Sequence, residues 1–317
     1  MKFLSFNFDF YRFSFLNILD KIIAYLTPLL LLHFFNDKSL YNSIEFIYSI
    51  ALFVNIFVDI GTRGFMNYSF RFEENKKDYT FSIIKTFNFL LVLYISLFLL
   101  IIILNKKFIF FDLALIYFVF IRGIYLCIIN IYRSYFRINT DPSYIFAFSI
   151  PVQLITAFII LFFYFTDKNI NLNYFFLPTL TFLLIYIFKI VIKNQLQFDL
   201  KKVITLLIKS IKYYWAIIVS STISIIIGNY AKIYSFLNLS ESETTKISLF
   251  LRLLMILQLI HASYTGYYLK EIFGDAKRTY SKKIFINYLI LMVIFSLIII
   301  LIVSTYSSLI ELNVKLD

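Results

Sequence analysis

Glu45-Phe-Ile-Tyr48-Ser-Ile-Ala-Leu-Phe-Val-Asn55-Ile-Phe-Val-Asp59-Ile-Gly-Thr62-Arg63 is the stretch whose reading decides the fold. It is apolar and close to the roughly 20 residues that carry a helix across a bilayer. Its polar residues are not scattered. At 100° per residue, Glu45, Tyr48, Asn55, Asp59, Thr62 and Arg63 fall within one stripe about 100° wide. Acids and amides are tolerated in hydrocarbon only where they face a bundle interior or a wet cavity. The stretch therefore reads as a membrane helix with one polar side.

The rest of the chain agrees with that class. It is 61% hydrophobic and 21% aromatic, with only 15% charged residues, and its mean hydropathy is +0.84. Repeated continuous apolar runs of about 18 residues or more indicate transmembrane helices rather than a soluble domain. A lipid-facing barrel would alternate residue by residue, and these runs do not. The one cysteine, Cys127, lies inside an apolar run and excludes a disulfide within the chain; it reads as a packing thiol. The N-terminus has no small-residue cleavage site and is not expected to be a removable signal peptide.

Nine spans are predicted, near Phe15–Phe34, Ile44–Ile60, Phe81–Leu104, Asp112–Tyr132, Ile145–Phe165, Tyr174–Ile192, Tyr213–Phe236, Thr245–Leu269 and Ile284–Tyr306. Basic residues crowd alternate connections: Arg63, Arg71, Lys76 and Lys77; Arg133 and Arg137; Lys193 to Lys212; Lys270 to Lys283. The connections between hold few. The positive-inside rule then puts the N-terminus and the even-numbered loops in the cytoplasm. The net charge of +12 is mostly this bias, and with no single basic patch a nucleic-acid partner is not expected.

Residues 1–192 are expected to form an N-terminal six-helix bundle, and 213–317 a partial second bundle of three helices. The connection 193–212 has amphipathic spacing and fits an interfacial helix joining the two; a solvated linker fits the same residues. Further polar stripes recur. Asp112, Arg122, Asn130 and Arg133 share one side of span four. Ser221, Ser224, Gly228 and Lys232 share one side of span seven. Arg252 aligns with Thr245, Ser248, Ser263 and Gly266 on span eight. Matching polar faces on four helices predict a common aqueous cavity, because buried charge without a partner costs several kcal/mol. A structural pair of Arg122 with Asp59 or Asp112, and an Arg252 that snorkels to the interface, compete with that assignment. His261 lies opposite Arg252 and reads as a packed residue, and His33 as an outer headgroup residue. Pro28, Pro151 and Pro178 fall in or near spans, where kinks occur in transporters and static bundles alike. No phosphate-cradling Gly-rich loop, HExxH or metal-spaced Cys/His cluster is present, so neither an enzyme nor a cofactor is expected.

The exit of span two, Asp59-Ile-Gly61-Thr-Arg63-Gly64 with Tyr68 and Arg71, resembles polysaccharide and O-antigen flippases of the multidrug/oligosaccharidyl-lipid/polysaccharide exporter superfamily. Gly228 to Tyr234, Thr244 to Arg252 and Gln258 to His261 are similar to the opening of that superfamily's second half. The resemblance implies a MATE-like two-bundle fold around a central cavity in the inner membrane. An isoprenoid-pyrophosphate-linked oligosaccharide would cross between leaflets, and membrane lipid, a polysaccharide polymerase and glycosyltransferases would be its partners. Cavity cations would hold the pyrophosphate, since Arg and Lys make charge-assisted hydrogen bonds to phosphate. The expected substrate-binding residues are Asn55, Asp59, Arg63, Arg122, Ser221, Ser224, Lys232 and Arg252.

Two other classes fit part of the pattern. A cation-coupled drug exporter would share the fold but favour acids in the cavity, whereas arginines and lysine outnumber Asp59 and Asp112 here. A membrane-embedded O-antigen polymerase or ligase would carry a large external loop, and no external connection is that long. The superfamily usually has twelve or more spans, so nine suggest a truncated chain with an incomplete second bundle; pairing with another peptide or dimerisation would be the alternatives.

Overall fold

A computed structural model of the chain describes residues 8–72, 76–104, 113–193, 195–196 and 199–252, with 289–290, 293–294, 296–297 and 301. The elements are α1 (Phe8–Phe35), α2 (Lys38–Asp59), α3 (Thr62–Phe72), α4 (Lys76–Leu104), α5 (Leu113–Asn139), α6 (Phe146–Phe165), α7 (Leu172–Ile192) and α8 (Leu200–Asn238). A 3-10 turn, Pro142–Ile145, precedes α6, and α9 covers 241–252. No strand occurs among the described residues. Seven helices there are long and apolar enough to cross a membrane. They coincide with the first seven predicted spans, and the protein is an all-helical polytopic membrane protein. Most of the eighth predicted span, with His261, Ser263 and Gly266, and most of the ninth lie outside the described residues, as does Asp112.

The helices start and stop where the sequence supplies caps. Asn36 closes α1 in the left-handed region, φ 49°, which Asn tolerates better than most side chains. The next residue, Asp37, caps α2 by accepting from the Leu40 amide at 2.8 Å. Asn171 and Asp199 do the same for α7 and α8. Ser240 and Glu243 form a reciprocal capping box at the start of α9. Ser240's hydrogen bonds hold the exposed Glu243 carboxyl below the usual range.

α2 is the hub. Its broadest interface is with α5, and it also packs against α8, α1 and α4. Gly123 makes the α2–α5 crossing close: a Cβ there would lie 2.5 Å from the Val54 side chain and 3.1 Å from the Ala51 carbonyl oxygen. Small residues permit such approach in membranes, where packing replaces the hydrophobic effect as the driving force. α5 runs to Asn139 rather than stopping near Tyr132, so Arg133 and Arg137 are helical residues instead of loop cations.

The connection around Lys201–Lys212 also differs from expectation. Leu200–Asn238 is one unbroken helix of 39 residues, about 58 Å long against a hydrocarbon core near 30 Å. The amphipathic pattern is nevertheless used: Val203, Leu206 and Ser210 are buried on one side. With no Gly or Pro between Leu200 and Ile227, nothing in the sequence breaks the helix, so the stretch extends the seventh span without a joint. Outward-facing Phe158, Phe165, Phe188 and Ile227 are more than 60% exposed. On a membrane-spanning bundle they are a lipid-facing surface.

Candidate functional site

The cavity begins at a break in the hub helix. α2 ends at Asp59, and the following residues Ile60 (φ 41°) and Gly61 (φ 72°) both adopt left-handed backbone before α3 starts. Gly61 is suited to that conformation; a β-branched residue is not, at a cost of about 1–2 kcal/mol. The surrounding structure holds the break in place. Ser210 of α8 donates to the Ile60 carbonyl at 2.9 Å, and the Thr62 hydroxyl donates to the Asp59 carbonyl. Strain maintained in this way often marks a working site, and broken membrane helices recur at transporter binding sites.

A cavity of about 370 Å³ opens beside the break. The α2–α3 exit contributes Asp59, Arg63 and Asn67, while Ser134 and Arg137 come from α5 and Tyr214 and Ser221 from α8. Gly64 lets the Tyr214 ring lie against α3, since a Cβ there would sit 2.2 Å from Tyr214 Cδ1. Arg63 donates twice to Asp59, from Nε to Oδ2 at 2.6 Å and from the backbone amide to Oδ1 at 3.1 Å. Arg137 is differently placed. Its buried Nε has no hydrogen-bond partner among the described residues, and the same holds for Asn67 Oδ1. The lining thus carries two arginines against one carboxylate, with one guanidinium engaged and one uncommitted.

A second polar cluster lies deeper along α2. Glu45 is 2% exposed and binds two cations at once. Lys232 of α8 donates to Oε2 at 2.8 Å, and Arg252 of α9 donates to Oε1. Arg252 also donates to the Tyr25 carbonyl of α1 at 2.6 Å. Asn42 reinforces the seam by donating to the Glu241 carbonyl at 2.9 Å and accepting from Thr245 at 3.1 Å. Glu45 therefore ties α2, α8 and α9 together, and Arg252 extends the link to α1. Glu45 stands 14 residues before Asp59, about 21 Å along the helix.

No family model, curated protein or solved structure matches the chain. The site is accordingly read from its own residues.

Of the predicted binding residues, Asp59, Arg63 and Ser221 line the cavity. Asn55 is buried beside it and accepts from Asn130 at 3.5 Å, and Asn130 accepts from Arg133 at 3.4 Å. Lys232 and Arg252 do not reach the cavity, because Glu45 takes both. Arg122 does not line it either; Asp59 pairs with Arg63 rather than with Arg122, and the other expected partner, Asp112, lies outside the described residues. The Arg122 guanidinium lies over the Tyr48 and Tyr125 rings at 4.4 and 5.0 Å, a favourable cation–π stack in a buried setting. Ser224 and Gly228 are exposed on α8. The expected single cavity divides because each stripe runs over several helical turns. Residues sharing a face can still be 20 Å apart along the axis.

Sequence reasoning missed the other polar side chains of the cavity as site members: Asn67, Ser134, Arg137 and Tyr214. Arg137 carried a usable signal. Arg133 and Arg137 are spaced i, i+4 with Ser134 on a strongly amphipathic run, which is helix patterning rather than loop patterning. Asp20 of α1, 3.7 Å from Arg133, is a further buried acid that no stripe brought forward.

Proposed function

We propose that the protein is a flippase that moves an isoprenoid-pyrophosphate-linked oligosaccharide between the leaflets of the inner membrane. The observation that carries this reading is the arginine-rich cavity at the break between α2 and α3. Its uncommitted Arg137 and its Arg63 suit a phosphate-bearing headgroup, because a guanidinium fork meets phosphate oxygens with paired charge-assisted hydrogen bonds. A cavity of about 370 Å³ falls in the range of small-ligand pockets. It matches a headgroup rather than a whole glycan, leaving the isoprenoid in lipid. A cationic drug would need acids in excess, and arginines are in excess here.

Arg63 and Arg137 line one cavity, and Ser210 of the basic Lys201–Lys212 stretch bonds the α2–α3 exit; the positive-inside rule supports a cytoplasmic assignment for that end. The cavity then opens where lipid-linked glycans are assembled. The Glu45–Lys232–Arg252 triad holds the opposite end of the hub closed. Transport exchanges these states as α8 and the helices that follow it rock against the first six spans in a MATE-like two-bundle arrangement. The chemistry is binding and movement, with no bond made or broken.

The test is leaflet transfer by the purified full chain in vesicles containing an isoprenoid-pyrophosphate-linked oligosaccharide, read by a lectin or glycosidase confined to one side. The wild type is expected to transfer glycan. Arg137→Ala should slow transfer about tenfold or more, the effect of losing one charged hydrogen bond of about 1.5–3 kcal/mol. Transfer by Arg137→Ala at the wild-type rate, or none by the wild type, removes this function.

A further inference from the structure

The two halves of the cavity differ in one respect that the cargo reading alone does not explain. Arg137 Nε has no partner among the described residues, but Arg63 is already engaged by a carboxylate of the same chain. Asp59 Oδ2 accepts from the Arg63 guanidinium at 2.6 Å, and Oδ1 accepts from the Arg63 backbone amide at 3.1 Å, at the first turn of α3. An arginine side chain together with a backbone N–H at a helix start is the donor set that proteins use to bind phosphate. Asp59 is built into the wall of the cavity and its side chain is almost wholly buried, while the Arg63 side chain is about one-third exposed. Arg63 is therefore the more accessible member of the pair, with part of its side chain open to a ligand.

We infer that Asp59 is a resident anion occupying the phosphate donors of this cavity, and that a pyrophosphate headgroup must displace it from Arg63 to bind with both arginines. This rests on the proposed phosphate-bearing cargo and adds how the same site admits and releases it. The cargo enters at Arg137, whose Nε has no partner among the described residues. It then competes with Asp59 for Arg63. When the cargo leaves, the carboxylate retakes the guanidinium, so the empty cavity does not leave Arg63 without a partner. A carrier must bind and let go, and a tethered competitor lowers affinity without removing either arginine. No covalent step is involved.

The left-handed backbone at Ile60 and Gly61 keeps this geometry in place. It turns α3 away from the axis of α2 while leaving Asp59 beside the Arg63 amide. Ser210 and Thr62 satisfy the carbonyls around the break. The Asp59 carboxylate is thus not needed to hold those two groups.

The experiment is calorimetric titration of inorganic pyrophosphate into the purified full chain in detergent micelles, at fixed pH and ionic strength. Asp59→Asn keeps an acceptor for the Arg63 amide and removes the charge. It should bind pyrophosphate about tenfold more tightly than the wild type, since the Arg63 guanidinium is no longer held by a carboxylate and is released to the ligand. Asp59→Ser, which keeps a capping oxygen, is the second variant and should show the same gain if the first fails to fold. Adding Arg63→Gln to either should abolish the gain, because the gain is the released guanidinium. Affinity equal to or weaker than wild type in the Asp59 variants makes Asp59 a structural cap alone and overturns the inference, leaving the cargo reading intact. A gain that survives loss of Arg63 also overturns it. Pyrophosphate binding by none of the proteins removes the inference and the cargo reading together.

Discussion

Glu45→Ala is expected to destabilise the folded chain by about 3–5 kcal/mol, the cost of removing one partner from a buried ion pair. The carboxylate is 2% exposed and forms ion pairs with both Lys232 and Arg252. Its loss leaves two cations without an acid among the described residues, in an environment that solvates charge poorly. Glu45→Gln should cost less, because the amide oxygen can still accept from one of them. The combination Glu45→Leu, Lys232→Met and Arg252→Leu should recover much of the loss, since apolar groups of similar volume often replace buried ion networks without penalty. Unfolding in micelles, followed by circular dichroism during denaturant titration, measures the series. If Glu45→Ala unfolds with the wild type, the triad contributes no stability and its role as a clasp between α2, α8 and α9 is wrong.

Gly123→Leu is expected to have the second large effect. Even a Cβ at this position would lie 2.5 Å from Val54 and 3.1 Å from the Ala51 backbone oxygen. The Val54 side chain can shift by tenths of an ångström, but the α2 backbone cannot without moving the helix. Gly123→Ala should therefore cost about 1–3 kcal/mol, in line with overpacked cores, and the larger leucine more. Because α2 carries both polar clusters, forcing it away from α5 should also disturb the cavity. Pyrophosphate affinity should fall together with stability. A Gly123→Leu protein with wild-type stability would mean that the α2–α5 contact is looser than its geometry indicates.

Membrane class, the first seven spans and the polar character of α2 follow from sequence because they depend on local composition. A helix in lipid must satisfy its own backbone, so a run of about 20 apolar residues leaves few alternatives. The Asp59–Arg63 pair is similarly local, four residues apart across a helix exit that contains Gly61. Arg137 is harder to place. Charge near the end of an apolar run looks like a loop, and only packing of α5 against α2 and α3 carries the helix on to Asn139. The continuity of α8 through Lys201–Lys212 has the same origin: the buried side formed by Val203, Leu206 and Ser210 has value only once α3 and α4 are there to cover it.

The sequence by itself determined that this chain is helical, membrane-spanning and polar along its second span, because hydropathy and the 3.6-residue period act within one segment. It could not determine which polar residues meet. Glu45 finds Lys232 and Arg252 at separations of 187 and 207 residues, and no angular pattern within single helices encodes that choice. Only the tertiary structure decided that Arg252 and Lys232 bind a carboxylate, that Arg122 rests on tyrosine rings, and that Arg63 and Arg137 share a cavity. The physical reason is that a helical face fixes direction about its axis, whereas the depth at which two faces touch is set by how closely their backbones pack. At Gly123, Gly61 and Gly64 that packing is a matter of ångströms.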